Sequence, residues 1–216
     1  MGRSAIVIGA TGLVGSKLVA VLLADPVYDT IHLLVRRTLA RSDPRLREHL
    51  VDFAYLAKFD MPVADDVYCC LGTTIGIAGS QQAFREVDYA YPLAVARGAL
   101  HRGAQQFLFI SAMGADPRSS VFYSRVKGEL EDAIAALGYH AAIAFRPSLL
   151  AGKRMEHRSG ERIALMVLQP VRWLIPRKYR PVADVAVARA MAAYAKRGLA
   201  GFHSVPSDAI QAFAPG

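Results

Sequence analysis

Ser4-Ala5-Ile6-Val7-Ile8 runs directly into Gly9-Ala10-Thr11-Gly12-Leu13-Val14-Gly15, and Ser16-Lys17-Leu18-Val19-Ala20-Val21-Leu22-Leu23 follows at once. The first segment is a short apolar run of the kind that makes a buried strand, and the last starts a helical run. Strand, glycine-rich turn and helix in that order form a phosphate-binding device. Gly9 permits the tight turn, Gly12 lets the backbone approach a pyrophosphate, and Gly15 lets the helix pack against the strand. The helix N-terminus offers unpaired N–H groups and a partial positive charge to an anion. The glycines are spaced G-x-x-G-x-x-G, not G-x-G-x-x-G, so the strand-before, helix-after context carries the reading. The plain alternative is a structural turn without a ligand.

Working outward, strand-like runs alternate with helical ones. Ile31–Val35, Val51–Phe53, Val67–Leu71, Phe107–Ser111, Ala141–Phe145 and Phe202–Val205 read as further strands. Helical periodicity covers Gln81–Arg102 and Ser124–Leu137, with Gly103 and Gly138 placed as C-caps. Asp184–Arg197 reads as a closing helix. Such alternation implies right-handed βαβ units and a parallel sheet. The expected fold is therefore α/β, a Rossmann-like doubly wound parallel sheet in a single domain over residues 1–216. Between 151 and 181 the rhythm fails, and Pro170, Pro176 and Pro181 punctuate the stretch. It reads as a small C-terminal insertion covering the substrate side of the sheet, where ligands of α/β folds bind.

Composition bounds the function classes. A 216-residue chain with 53% hydrophobic and 20% charged residues suits one globular domain, not a disordered chain. Cys69 and Cys70 are the two cysteines. As neighbours on a strand they point to opposite faces, so they read as buried thiols, not a disulfide. That suggests a cytoplasmic protein, and no secretory leader is apparent. No apolar stretch is long enough to span a bilayer, since Ile163–Ile175 is broken by Pro170 and Arg172. The six histidines are scattered, so no metal site is expected. The net charge of +8 raises the question of nucleic acid, but no basic patch is interleaved with aromatics. An anionic cofactor or substrate accounts for it more simply. Trp173, Met166, Leu168 and Leu174 read either as core or as a face for a homodimer or protein partner. Glu156, Arg158 and Glu161 read as a solvated helix face, with contact to substrate as the alternative.

Two groups of residues suggest chemistry. Strand two ends Leu33-Leu34-Val35-Arg36-Arg37, with no acid to bond the ribose 2′-hydroxyl of NAD; the next acid is Asp43. Two arginines suit the 2′-phosphate of NADP(H) instead. Tyr123-Ser124-Arg125-Val126-Lys127 puts a tyrosine and a lysine one helical turn apart on one face. A nearby ammonium favours the phenolate and so makes the tyrosine a usable proton donor to a carbonyl. Ser111 ends strand five, close to where a cofactor's reactive ring should lie; a turn cap is its plain alternative.

Together these residues resemble the short-chain dehydrogenase/reductase superfamily over nearly the whole chain. Residues 9–15 are similar to its glycine motif, which implies cofactor contacts from Gly9, Thr11, Gly12, Leu13, Val14 and Gly15. Ser111, Tyr123 and Lys127 fall on its Ser–Tyr–Lys positions. Phe145-Arg146-Pro147-Ser148-Leu149-Leu150 is similar to the segment that lines the nicotinamide site, which implies roles for Pro147 and Leu149. Within the superfamily the chain resembles the atypical branch of the HIV Tat-interacting oxidoreductase family. Tyr68-Cys69-Cys70-Leu71-Gly72-Thr73-Thr74, Phe84-Arg85-Glu86-Val87-Asp88 and Ser111-Ala112-Met113-Gly114-Ala115-Asp116 carry that resemblance. It implies that Leu71, Gly72 and Thr73 flank the adenosine ribose and Asp52 the adenine. Asp88 stands where many members have an asparagine that completes a proton relay. The leading expectation is an NADPH-dependent reductase of a small carbonyl compound. Ser111 would orient the carbonyl, Tyr123 protonate it, and Lys127 hold the nicotinamide ribose. Two alternatives stand beside it: a non-enzymatic NADPH-binding regulator, and an epimerase or dehydratase with a recycling nicotinamide.

Overall fold

The computed structural model describes residues 2–39, 42–151 and 176–214. Strand β1 (Arg3–Ile8) leads through the glycine turn into helix α1 (Leu13–Ala24). β2 (Tyr28–Val35), β3 (Leu46–Leu50) and β4 (Asp66–Cys69) follow, with a 3-10 turn over Phe53–Lys58. Short helices α2 (Ile75–Ala78) and α3 (Gln81–Arg85) precede a π turn over Glu86–Ala90, which runs into α4 (Tyr91–His101). Then come β5 (Gln106–Ile110), α5 (Phe122–Ala135), β6 (Ala141–Arg146), and the short β7 (Leu150–Ala151) and β8 (Val182–Ala183). Helix α6 (Asp184–Tyr194), β9 (Gly201–Pro206) and α7 (Ser207–Gln211) complete the described residues.

The sheet has seven strands in the order β3-β2-β1-β4-β5-β6-β9, all parallel. This is the doubly wound arrangement expected, and the strand order reverses between β1 and β4. Alternate residues of each strand feed two cores. Ala5, Val7, Leu33, Leu108 and Ile143 pack under α1 and α6. Ile6, Ile8, Val67, Cys69, Phe107 and Phe109 pack under α4 and α5. The inner strands β1, β4, β5 and β6 are largely apolar on both faces because each face carries a helical layer. The two cysteines are free and buried, one in each core, as expected of opposite faces. Burial pushes the Cys69 thiol up to about 12, and that of Cys70 well above its ordinary value.

Two expectations need correction. The third strand is Leu46–Leu50, and residues 51–53 follow it. Its Leu-Arg-Glu-His-Leu sequence is charged because β3 is the sheet edge, bonded only to β2 among the described strands. Water satisfies its outer side, so apolar content does not mark it. The helix read over Gln81–Arg102 is instead α3, a π turn and α4. The expected insertion over 151–181, with Trp173, Met166, Leu168, Leu174, Glu156, Arg158 and Glu161, lies largely outside the described residues. What is described there is a parallel pair, Leu150 opposite Val182 and Ala151 opposite Ala183.

The two ends of the sheet differ. At the N-terminal end, Tyr28 donates to Asp66 Oδ2 at 2.7 Å, and Arg3 pairs with Asp66. At the C-terminal end of β1 and β4 the strands open onto a cleft.

Candidate active site

The cleft begins at the glycine turn. Gly9 has φ +83°, and a Cβ there would lie 2.7 Å from the carbonyl carbon of Cys70. Gly12 caps α1 without a side-chain hydrogen bond, and the first turn of the helix carries no acid. The first N–H groups of this twelve-residue helix thus have no side-chain partner or competing anion. A Cβ on Gly15 would meet the Gly9 carbonyl oxygen at 2.1 Å. Gly15 therefore sits behind the turn, where it lets α1 approach. Such a turn and helix start can hold a phosphate group.

On one side of the turn a hollow is lined by Gly9, Thr11, Val35, Arg36, Arg37 and Leu71. It continues into a second hollow with Arg36, Arg37, Asp52, Phe53 and Tyr91. Both arginines are exposed, and the Arg36 guanidinium carbon lies 5.6 Å from the Phe53 ring centre. Asp52 caps the 3-10 turn, accepting from the Ala54 N–H at 3.0 Å. A flat aromatic wall beside two guanidinium groups suits an adenosine with an anionic substituent.

On the other side lies a cavity of about 270 Å³ that shares Leu71 with the first hollow. Gly12, Leu13, Val14, Gly72 and Thr73 line its near wall, and Pro147 and Leu149 its far wall. Ser111, Tyr123, Lys127 and Asp88 all face it. The structure thus brings together the serine, tyrosine and lysine singled out by sequence. Lys127 is 3% exposed; its Nζ lies 2.8 Å from Asp88 Oδ1 and donates to the Ile110 carbonyl at 3.1 Å. Burial alone would lower the Lys127 pKa, but Asp88 and Tyr123 outweigh it and hold the ammonium above its ordinary value. The other Asp88 oxygen accepts from the Thr73 N–H at 2.9 Å. The Tyr123 ring packs against Phe84 at 5.4 Å between centres.

One member of the site was not found by sequence reasoning. Glu131 follows Lys127 by four residues, as Lys127 follows Tyr123, so all three share a face of α5. Glu131 is 3% exposed. It accepts a hydrogen bond from the Ser111 hydroxyl and forms a two-point pair with Arg146, whose Nε lies at 2.9 Å. The i, i+4, i+8 spacing was the available signal. Beyond Arg146, Ser148 donates to the Arg180 carbonyl at 2.6 Å and accepts from Ser207 at 3.1 Å. Gln211 donates to the carbonyls of Arg177 and Arg180. Helix α7 thereby ties the far wall to the segment that leads into β8.

The family profile described as "NAD dependent epimerase/dehydratase family" matches residues 5–173. The chain belongs to that family. Within it the chain falls in an atypical short-chain dehydrogenase/reductase branch. It is 36% identical over 170 residues to "Protein FMP52, mitochondrial" of Candida albicans, covering 74% of this chain and 73% of that protein. It is 34% identical over 167 residues to "Protein HTATIP2" of Rattus norvegicus, covering 75% and 69%. The solved structure of a short-chain oxidoreductase from Burkholderia thailandensis superposes with a TM-score of 0.74 at 16% identity, over 97% of this chain and 93% of that one. The expectation of a cytoplasmic location is corrected by fungal relatives named as mitochondrial. Buried free thiols report only the absence of a disulfide, and that does not tell one reducing compartment from another. No described helix is long and apolar enough to cross a membrane.

Proposed function

We propose that this protein is an NADP(H)-dependent reductase of a small carbonyl compound, and that it works in mitochondria as its fungal relatives' names indicate. The observation that carries this reading is one groove that joins three things. These are the Arg36–Arg37 hollow, the uncapped N-terminus of α1, and the cavity holding Tyr123 and the Lys127–Asp88 pair. The residues fit the cofactor: the arginines would take the 2′-phosphate, the α1 N-terminus the pyrophosphate, and Lys127 the nicotinamide ribose. The bound cofactor supplies a hydride; the protein supplies position and a proton.

Tyr123 donates that proton to the carbonyl oxygen. Its ring is fixed by Phe84, and Lys127 stands one turn along the same helix with its charge held by Asp88. Leu149 and Pro147 close the far side. The test is calorimetry followed by a carbonyl panel. NADPH should bind at least tenfold more tightly than NADH, since one charge-assisted contact contributes about 1.5–3 kcal/mol. Tyr123→Phe should lower kcat by on the order of 10² while NADPH affinity holds. Equal affinity for the two cofactors removes the arginine assignment. Wild-type turnover by Tyr123→Phe removes the proton donor. NADPH binding without any carbonyl reduction would favour the regulator.

A further inference from the structure

Asp88 stands where many members of the resembled superfamily carry an asparagine. The two side chains share a shape and differ by one charge. Asp88 is 1% exposed, and its Oδ1 lies 2.8 Å from the Lys127 Nζ. Its Oδ2 accepts from the Thr73 N–H at 2.9 Å, so the carboxylate is fixed from two sides. The ammonium also donates to the Ile110 carbonyl at 3.1 Å. Tyr123 stands one turn before Lys127 on α5, and it and the Cys69 thiol of β4 both sense the lysine charge. Burial pushes that thiol up to about 12, so it is neutral near neutral pH. Glu131, one turn beyond Lys127, is paired with Arg146 of β6. Farther out, Arg85 of α3 pairs with Glu129, and Asp116 of the loop before α5 pairs with Arg118 and acts on Arg146. In this group of described residues each charge has an opposite charge beside it.

We infer that Asp88 is a positioning residue for the Tyr123 proton: it opposes the Lys127 charge that would otherwise draw that proton off. The site then keeps reducing carbonyls into the alkaline range, and alcohol oxidation is delayed to higher pH. This inference rests on the reductase reading above. An ammonium alone beside a phenol favours the phenolate, whereas an ammonium with a carboxylate at 2.8 Å is a neutral pair with a weak outward field. The step is balanced as follows. NADPH gives a hydride to the carbonyl carbon, the C=O π pair moves to the oxygen, and that oxygen takes the Tyr123 proton. An alcohol and NADP⁺ form, and the phenolate regains a proton from solvent. The reverse step starts from the phenolate, which takes the alcohol's proton as the hydride returns to NADP⁺. Reduction therefore draws on the protonated tyrosine and oxidation on the ionised one. The charge beside Tyr123 sets the pH at which one gives way to the other.

The test uses the full chain and two readouts, each followed across pH. The first is benzaldehyde reduction by NADPH and benzyl alcohol oxidation by NADP⁺. The second needs no substrate: the ultraviolet absorption of phenolate, with Tyr123→Phe subtracted in each background. In the wild type, oxidation should still rise about tenfold per pH unit between about pH 7 and about pH 9, as a single proton yet to be lost requires. In Asp88→Asn, the alkaline limb of reduction, the plateau of oxidation and the Tyr123 absorption should all move down by about one pH unit or more, the usual effect of one charge at short range. Asp88→Glu keeps the charge and should keep the wild-type midpoints even where its rates fall. A carboxylate that only braced the loop would change rates and leave the midpoints in place, and that result overturns the inference. A midpoint that moves up in Asp88→Asn also overturns it, since Lys127 would then lose its charge with its partner. So does a wild-type oxidation plateau already reached by about pH 7, and that readout decides alone if Asp88→Asn does not fold. If the midpoints stay while Tyr123→Phe is inactive, the reductase reading survives without this inference. If the Tyr123 absorption shifts as stated and no carbonyl is reduced, the reductase reading fails and takes the preference for reduction with it, leaving Asp88 in control of the Tyr123 proton.

Discussion

Asp88 is the residue on which the site's electrostatics turn. It neutralises a lysine that is 3% exposed and holds the Thr73 amide beside the cofactor groove. Removing it leaves an ammonium buried without its counter-charge, which typically costs about 3–5 kcal/mol. Asp88→Ala should therefore lower unfolding stability by that order in a denaturant titration. It should also weaken NADPH binding through the freed 71–73 loop. Asp88→Asn, which still accepts from Thr73, should recover part of the binding but less of the stability. A variant as stable as the wild type would show that the pair is not needed to keep Lys127 charged. The sequence marked Asp88 as a departure from an asparagine. It could not show the compensation, because the partner lies 39 residues away on another helix.

At the scale of elements, α5 is the precision part. Tyr123, Lys127 and Glu131 stand on one face of it, and its seating depends on a glycine. A Cβ on Gly128 would lie 2.2 Å from the Pro117 nitrogen and 2.3 Å from the Asp116 carbonyl carbon. These are backbone atoms, so helix and loop must separate. Gly128→Ala should cost about 1–3 kcal/mol, and it should lower kcat although the residue touches no substrate. Thermal melts and steady-state rates check both. The edge pair β2–β3 makes a different prediction. His32 Nδ1 and His49 Nε2 share a hydrogen bond at 2.9 Å, which needs one ring to accept. Burial first, then His49 and Arg47, lower the His32 pKa; burial lowers that of His49. A folded-state value below the unfolded one means that this stability is present above the ordinary histidine value of about 6.5 and lost as pH falls through the folded values. Melting temperature should drop on acidification below that point, and His49→Gln should flatten the drop.

For the whole molecule, the sheet was legible because its strands are buried on both faces and its glycine turn is local in sequence. Val7 and Gly9 need no distant partner to be read. Leu46–Leu50 was missed because an edge strand is half solvated, and Glu131 because its partners Ser111 and Arg146 lie on two other elements. The far wall was least legible, since Ser148, Arg180, Ser207 and Gln211 come from separate stretches. Their clasp has a further consequence. The Arg36–Arg37 side of the groove is built from residues no later than Tyr91, whereas the far wall is held from outside by α7, the last described helix. A chain shortened to end at Pro206 should keep its sheet and its NADPH affinity, measured by calorimetry, while KM for a carbonyl rises about tenfold or more. Loss of the last ten residues would then loosen the grip on one ligand and spare the other, so that the two affinities can be tuned separately on one unchanged sheet.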